Sequence, residues 1–185
     1  MQLLENGSVT SPRGFRAAGV AAGIKKSGAP DVALIVSDEP CACAAVFTQN
    51  LVQAAPIQVC KEHIAARGDR MRAVVINSGN ANAVTGDEGV RNAQAMAQAA
   101  AQALGIGGDE VLVMSTGVIG VQLPMEKVST GIRNAASALS VDGGHAAARA
   151  IMTTDTRPKE IAVQPPISNL QPPITIGRMC KGAGM

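Results

Sequence analysis

Three short stretches carry residue types able to steady a developing negative charge. In MSTGVIG, Thr116 and Gly117 come straight after a buried-strand pattern. A sharp turn there would aim a hydroxyl and a backbone N–H at one point, the arrangement that stabilises an oxyanion. TTDTRPK crowds Thr153, Thr154, Asp155 and Thr156 ahead of Pro158. MCKGAGM sets Lys181 beside Gly182, Ala183 and Gly184, and glycines let a backbone approach a ligand closely. A fourth stretch, NSGNANAVTG, places Asn77, Asn80 and Asn82 after another strand, where asparagine tolerates left-handed turns. Residue types alone leave a second account open for each stretch. An ordinary strand-end turn explains Thr116 and Gly117, and local capping or turn bonds explain the threonines and asparagines.

What these stretches lack is a nucleophile. The two histidines, His63 and His145, stand near no serine or cysteine with a nucleophile signature, and read as structural or surface residues. Neither a GxSxG elbow nor an HExxH pair is present, and GIGG at 105–108 lacks the ending of a phosphate loop. Cys41, Cys43, Cys60 and Cys180 form no CxxC and no metal-ligand spacing, so no metal site is expected. The thiols read as reduced and partly buried. Those of CACAAVF alternate, which places Cys41 and Cys43 on one face of a strand as small core residues.

The elements that must position these groups follow from pattern. GFRAAGVAAGI and VALIVS (Val32 to Ser37) read as a hairpin over 14–37, and CACAAVFT as a third strand. Lys61 to Arg67 reads as a short helix closed by Gly68. AVVIN (Ala73 to Asn77) is a buried strand running into the asparagine loop. Val90, Ala93, Ala97, Ala100, Ala101 and Leu104 recur at helical spacing, with Thr85 or Asp87 as cap and Gly105 as stop. That stripe is mostly methyl groups, so the helix should pack tightly on a sheet. EVLVMST is the next strand, Pro124 opens a helix to about Leu139, and Gly144 begins a shorter one. KEIAVQ and ITIGRMC close the series as strands around the Pro-rich PPISNLQPP. The chain shows no internal repeat and no linker, and reads as one domain over 1–185 with seven or eight strands and three or four helices.

Composition excludes several classes. Of the 185 residues 46% are apolar and 16% charged, with a formal net charge of +2, a globular balance. Phe15 and Phe47 are the only aromatics, so the stacking platforms of single-strand nucleic-acid binders are missing. No apolar run approaches the roughly 20 residues of a membrane span, and the N-terminus has no signal-peptide pattern. A cytoplasmic location is the expectation. An alanine-rich core gains less apolar burial per residue, so a partner surface is expected to add stability.

The motifs GFRAAGVAAGIK, VINSGNANAVTG, STGVIG, TTDTRPK and the terminal KGAGM, in this order over residues 14–185, resemble the N-terminal (α) chain of the ornithine acetyltransferase family, the glutamate N-acetyltransferases of arginine biosynthesis. The resemblance implies an α/β fold, a layered sandwich of helices around two β layers, similar to but distinct from N-terminal-nucleophile hydrolases. It also implies a precursor that cleaves itself before a threonine downstream of the glycine tract, this chain being the upstream product. The freed threonine of the β chain would be the nucleophile, with its own α-amine as base. Acetyl would pass from N-acetylornithine to that threonine and on to glutamate. Thr116 and Gly117 match the oxyanion pair, and Thr153 and Lys181 match substrate-binding positions. Thr154 or Asp155 would hold the site together, and Asn77 and Asn80 belong to the loop architecture beside it. No cofactor is implied, although acetyl-CoA is an alternative acetyl donor in some members. The implied assembly is two α and two β chains. Two other readings stand beside this one: a self-processing aminopeptidase-type hydrolase of similar fold, and a non-enzymatic binding or scaffold domain.

Overall fold

The apolar stretch near the N-terminus and the buried run after it do pair as a hairpin. In the computed structural model, which describes residues 1–167 and 173–182, a short β1 (Gln2–Leu3) precedes β2 (Phe15–Val20), and β2 lies antiparallel to β3 (Val32–Cys41). β4 (Met71–Asn80) runs antiparallel to β3, and β5 (Val111–Val118) runs parallel to β4, giving the order β2-β3-β4-β5. A parallel pair needs a crossover, and the methyl-striped helix supplies it as α2 (Gly86–Leu104). β6 (Lys159–Gln164) and β7 (Ile176–Cys180) join β1 in a second, antiparallel sheet ordered β1-β6-β7.

One face of the four-stranded sheet carries α2 with α1 (Ala55–Arg67) and α3 (Met125–Ser137). Leu34, Val75 and Val113 from the sheet meet Met96 of α2 and Ile132 of α3 there, all essentially inaccessible to solvent. Ala93, Ala97, Ala100 and Ala101 are buried in the same layer, as the tight packing of a methyl stripe requires. Gly105 ends α2 at φ 68°, returning its N–H to Ala101 O. Against the other face sit α4 (Gly144–Ala150), packed on Ala17 and Ala33, and the second sheet, which contributes Met179. The result is a mixed α/β sandwich with two β layers.

Two elements depart from the sequence pattern. CACAAVFT forms no third strand: β3 runs on to Cys41 through a bulge, and 42–50 has no ladder. β2 pairs with β3 only as far as Ser37, and β4 begins at Met71 opposite Cys41, so the continuing chain has run past both neighbours. Cys41 therefore closes a strand and donates to Met71 O, while Cys43 lies beyond it; the shared strand face does not form. α1 starts at Ala55 rather than Lys61, because Pro56 falls in its first turn, where a missing N–H costs nothing. The glycine tract from 183 and the middle of the Pro-rich loop, 168–172, lie outside the described residues.

Candidate functional site

Parallel pairing of β4 and β5 sets Ile76 beside Met114 and Ser78 beside Thr116. Side chains alternate across a strand, so Val74, Ile76 and Ser78 share a face with Leu112, Met114 and Thr116. That face looks toward β7. Between the two sheets lies a cleft of about 720 Å³, lined by Ile76, Met114, Thr116, Met179 and Lys181 together with the strap Ala45–Thr48. The strap is the segment whose strand never formed.

Lys181 leaves the end of β7 and crosses to the other sheet. Its Nζ donates to Thr116 Oγ1 at 2.9 Å and to Thr153 Oγ1 at 2.5 Å. Three of the four residues singled out by type and resemblance therefore meet at one ammonium, although 65 and 28 positions separate them from it. An ammonium has three N–H donors, and among the described residues two of them are used, by Thr116 and Thr153. Each threonine accepts from Lys181 and keeps its own hydroxyl proton to donate elsewhere.

Gly117, the fourth, continues β5 from Thr116 at φ 135°, opposite Gly79 at φ 102°. A Cβ on Gly117 would fall 2.6 Å from Asn80 N and 2.7 Å from Gly79 O. Only glycine lets the strands approach this closely at such a dihedral. Asn80 fixes the adjoining turn: its Nδ2 donates to Val121 O and Gln122 O, and its Oδ1 accepts Asn82 N–H at 2.8 Å. Asn77 is fully buried and donates to Asn80 O. Both asparagines lie within β4 rather than in the loop expected after it, and Asn80 braces the segment that follows β5 from there.

Asp155 joins the parts. One carboxylate oxygen accepts from the Lys159 ammonium and from Gly182 N–H at 2.7 Å, and the other accepts Thr153 N–H at 3.2 Å. Its side chain is 1% exposed. The Lys159 hydrogen bond, assisted by the N–H groups of Thr153 and Gly182 and opposed by desolvation, holds its pKa well below the usual carboxylate range. Of the two residues expected to hold the site together, Asp155 does so. Thr154 is exposed.

Neither histidine lines the cleft. His63 Nδ1 meets Val111 O at 2.7 Å, and His145 pairs with Glu160 at 3.0 Å across α4 and β6. Cys60 is buried, bonds Val113 O, and has its thiol pKa raised chiefly by that burial. Sequence reasoning passed over two residues close to the site, Lys25 and Ser78. Lys25 sits in a loop whose one signal was a lysine pair, and Ser78 in a strand end read as loop.

The comparisons with known proteins agree with the motifs. A model of the ArgJ family matches residues 16–185. The arginine biosynthesis bifunctional protein ArgJ of Symbiobacterium thermophilum is 54% identical over 181 residues, covering 97% of this chain and 44% of that protein. Its counterpart in Caldanaerobacter subterraneus is 49% identical over 185 residues, covering 100% and 44%. The chain thus spans less than half the length of these curated relatives. Among solved structures, the Bacillus halodurans ArgJ protein matches with a TM-score of 0.90 at 42% identity, covering 99% of this chain and 94% of the solved one. The ornithine acetyltransferase of Mycobacterium tuberculosis, solved with ornithine, matches with a TM-score of 0.91 at 46% identity, covering 100% and 96%. With a family model spanning 170 of its residues, from 16 to 185, this chain belongs to the ArgJ family.

Proposed function

We propose that this chain is the anion-holding part of an acyltransferase of arginine biosynthesis, one that moves acetyl from N-acetylornithine to glutamate through an acetyl-threonine. The observation that carries the reading is the single ammonium of Lys181 shared by Thr116 and Thr153 at the edge of an apolar cleft. A threonine hydroxyl oxygen supplied by the remainder of the protein adds to the acetyl carbonyl, and its proton passes to the α-amine acting as base. The resulting oxyanion receives the Thr116 hydroxyl and the Gly117 N–H. One such donor contributes roughly 3–4 kcal/mol to the transition state. The C–N bond then breaks, and the ornithine amine leaves with a proton. Attack of the glutamate amine on the acetyl ester reverses these steps and restores the threonine. The Lys181 ammonium takes a substrate carboxylate, which both amino acids carry, as a point charge.

Separation of the protein into two chains is part of the same proposal. Full-length relatives are covered over only 44% of their length, whereas the solved chains are covered over 94% and 96%, as division of a precursor near this position would produce. The β chain fills the open side of the cleft, where Val46 of the strap and, just beyond it, Leu51 are almost wholly exposed. An assembly of two α and two β chains in the cytoplasm, needing no cofactor and with acetyl-CoA as an alternative donor, completes the reading. Among the described residues no helix is long and apolar enough to cross a membrane. The matched relatives are named for arginine biosynthesis and ornithine acetyl transfer, which does not favour the hydrolase alternative.

The test is to incubate the full-length protein with N-acetylornithine, quench, and locate the acetyl group by peptide mass spectrometry. The expected site is the N-terminal threonine of a second polypeptide, discharged faster by glutamate than by water. Acetyl found on Thr116, or discharge indifferent to glutamate, would overturn the reading.

A further inference from the structure

The carbonyl of Ala150 closes the last turn of α4, three residues ahead of Thr153. Terminal helical carbonyls have no partner within their helix, and this one is met from two directions. Ser78 Oγ donates to it at 2.5 Å from β4, and Lys25 Nζ reaches it at 3.4 Å from the loop between β2 and β3. The Lys25 ammonium also donates to Pro30 O at 2.6 Å. Both approaches are anchored by a third residue, Asp31, which is fully buried. Its carboxylate accepts the N–H groups of Ala22, Ile24 and Lys25, and its own carbonyl accepts Ser78 N–H at 2.8 Å.

We propose that Ser78 and Lys25 are positioning residues for the acyl-transfer site, clamping Ala150 O so that Thr153 stays within reach of Lys181 and Thr116. The inference rests on the function proposed above. Ser78 is the register neighbour of Thr116 on the same sheet face. Its hydroxyl therefore ties β4, the strand paired with the one that carries Thr116, to the helix end that leads to Thr153. Apolar packing of Ala147, Ala150 and Ile151 on Ile76 holds α4 to β4 without direction, and the clamp adds a directional tie at the end of the helix. Lys25 adds a cation at a helix C-terminus, where the peptide dipoles favour positive charge. It also stands near the reacting groups. Burial lowers its pKa, the Asp31 carboxylate opposes that, and the Lys181 ammonium lowers it further.

The test uses the full-length protein, with exchange of acetyl between N-acetylornithine and glutamate as readout. Lys25→Met and Ser78→Ala should each lower kcat/KM about ten- to a hundredfold, since misplacement by about 1 Å costs up to ~100-fold. Most of that loss should fall on KM, and Lys25→Arg should restore much of it. Lys26→Met, an exposed neighbour, controls for the change in net charge and should match wild type. Because the clamp acts through Thr153, either substitution added to Thr153→Ala should cost less than about twofold more. Losses that multiply fully on the Thr153→Ala background, or a Lys25→Met enzyme with wild-type KM, would overturn the proposal. Should Ser78→Ala fail to fold, the Lys25→Met cycle with Thr153→Ala decides alone. An inactive wild type would instead count against the proposed function, so the two failures are distinguishable.

Discussion

Gly117→Ala isolates the close approach of β4 and β5 from every other feature of the site. The new methyl would sit 2.6 Å from Asn80 N and 2.7 Å from Gly79 O, and backbone atoms on a central strand cannot rotate aside as a side chain would. Restoring ordinary van der Waals distance requires β5 to move by about 1 Å relative to β4, on top of forcing alanine to φ 135°. Strain of this kind costs of order 1–3 kcal/mol. Melting temperature should fall by roughly 3–10 °C at the few degrees per kcal/mol usual for a domain of this size. The same displacement carries Thr116 with it, so turnover should drop about a hundredfold or more. The Gly117 N–H survives in the variant, which assigns the loss to position rather than to a missing donor. Gly120→Ala is the matched control: its φ is 79°, but no atom lies within 4 Å of the added carbon. It should cost only about 1–2 kcal/mol for the left-handed backbone and leave turnover near wild type. Differential scanning calorimetry and acetyl exchange on both variants check this. Equal melting temperatures and equal turnover for the two would refute the claim that the strand approach places Thr116.

Lys181→Ala should raise KM for N-acetylornithine about ten- to a hundredfold, the usual weight of a hydrogen bond to a charged group. The effect should disappear on an α-ester of the same substrate, and an equal effect on acid and ester would contradict the carboxylate role. Asp155 makes acid stability informative: its folded pKa is depressed, so its contribution is fully present above the unfolded value of about 3.9 and is lost as pH falls through the folded one. The melting difference between wild type and Asp155→Asn should therefore hold constant from neutrality to about pH 5 and shrink only in stronger acid; shrinkage between pH 8 and 6 would exclude the mechanism. Val84 holds φ 56° while 68% exposed, a conformation that a β-branched side chain resists and asparagine accepts. Val84→Asn should raise the melting temperature by stabilising about 1 kcal/mol, and a lower value would show that the apolar side chain is covered in the full protein.

The strands of the four-stranded sheet and the helices on it were legible as separate elements because each carries its own local pattern, whereas their order in the sheet was not. The stripe from Val90 to Leu104 repeats at helical spacing and stops at a glycine with φ 68°, so α2 follows from sequence with its end correct. The hairpin of β2 and β3 follows from two apolar runs around a turn. β1 was not legible: two exposed residues have no periodicity, and Gln2–Leu3 is a strand only because β6 lies alongside. The third strand expected from CACAAVFT failed for the complementary reason. Its residues suit a strand, but a strand needs a partner alongside, and where the neighbouring strands stop is a property of the assembled sheet.

The site divides along the same line. Thr116 and Gly117 could be singled out from type and place, although both lie inside β5, paired with Ser78 and Gly79, and not in the sharp turn expected after it. Their connection to Lys181 and Thr153 could not, because a lysine bonding a threonine 65 positions away leaves no spacing to detect. That contact exists because the second sheet stacks on the first, and stacking is driven by apolar faces that do not specify where a polar side chain will land. Placing it falls to Asp155, which bonds the backbone on both sides: Thr153 N–H in one segment and Gly182 N–H in the other. A carboxylate that fixes two backbones with its side chain almost fully buried limits the reach of Lys181 more tightly than packing of the small apolar side chains around it could. In a core built mostly of small aliphatic side chains, with no aromatic ring among its fully buried residues, positional accuracy at the site must come from such charged hydrogen bonds.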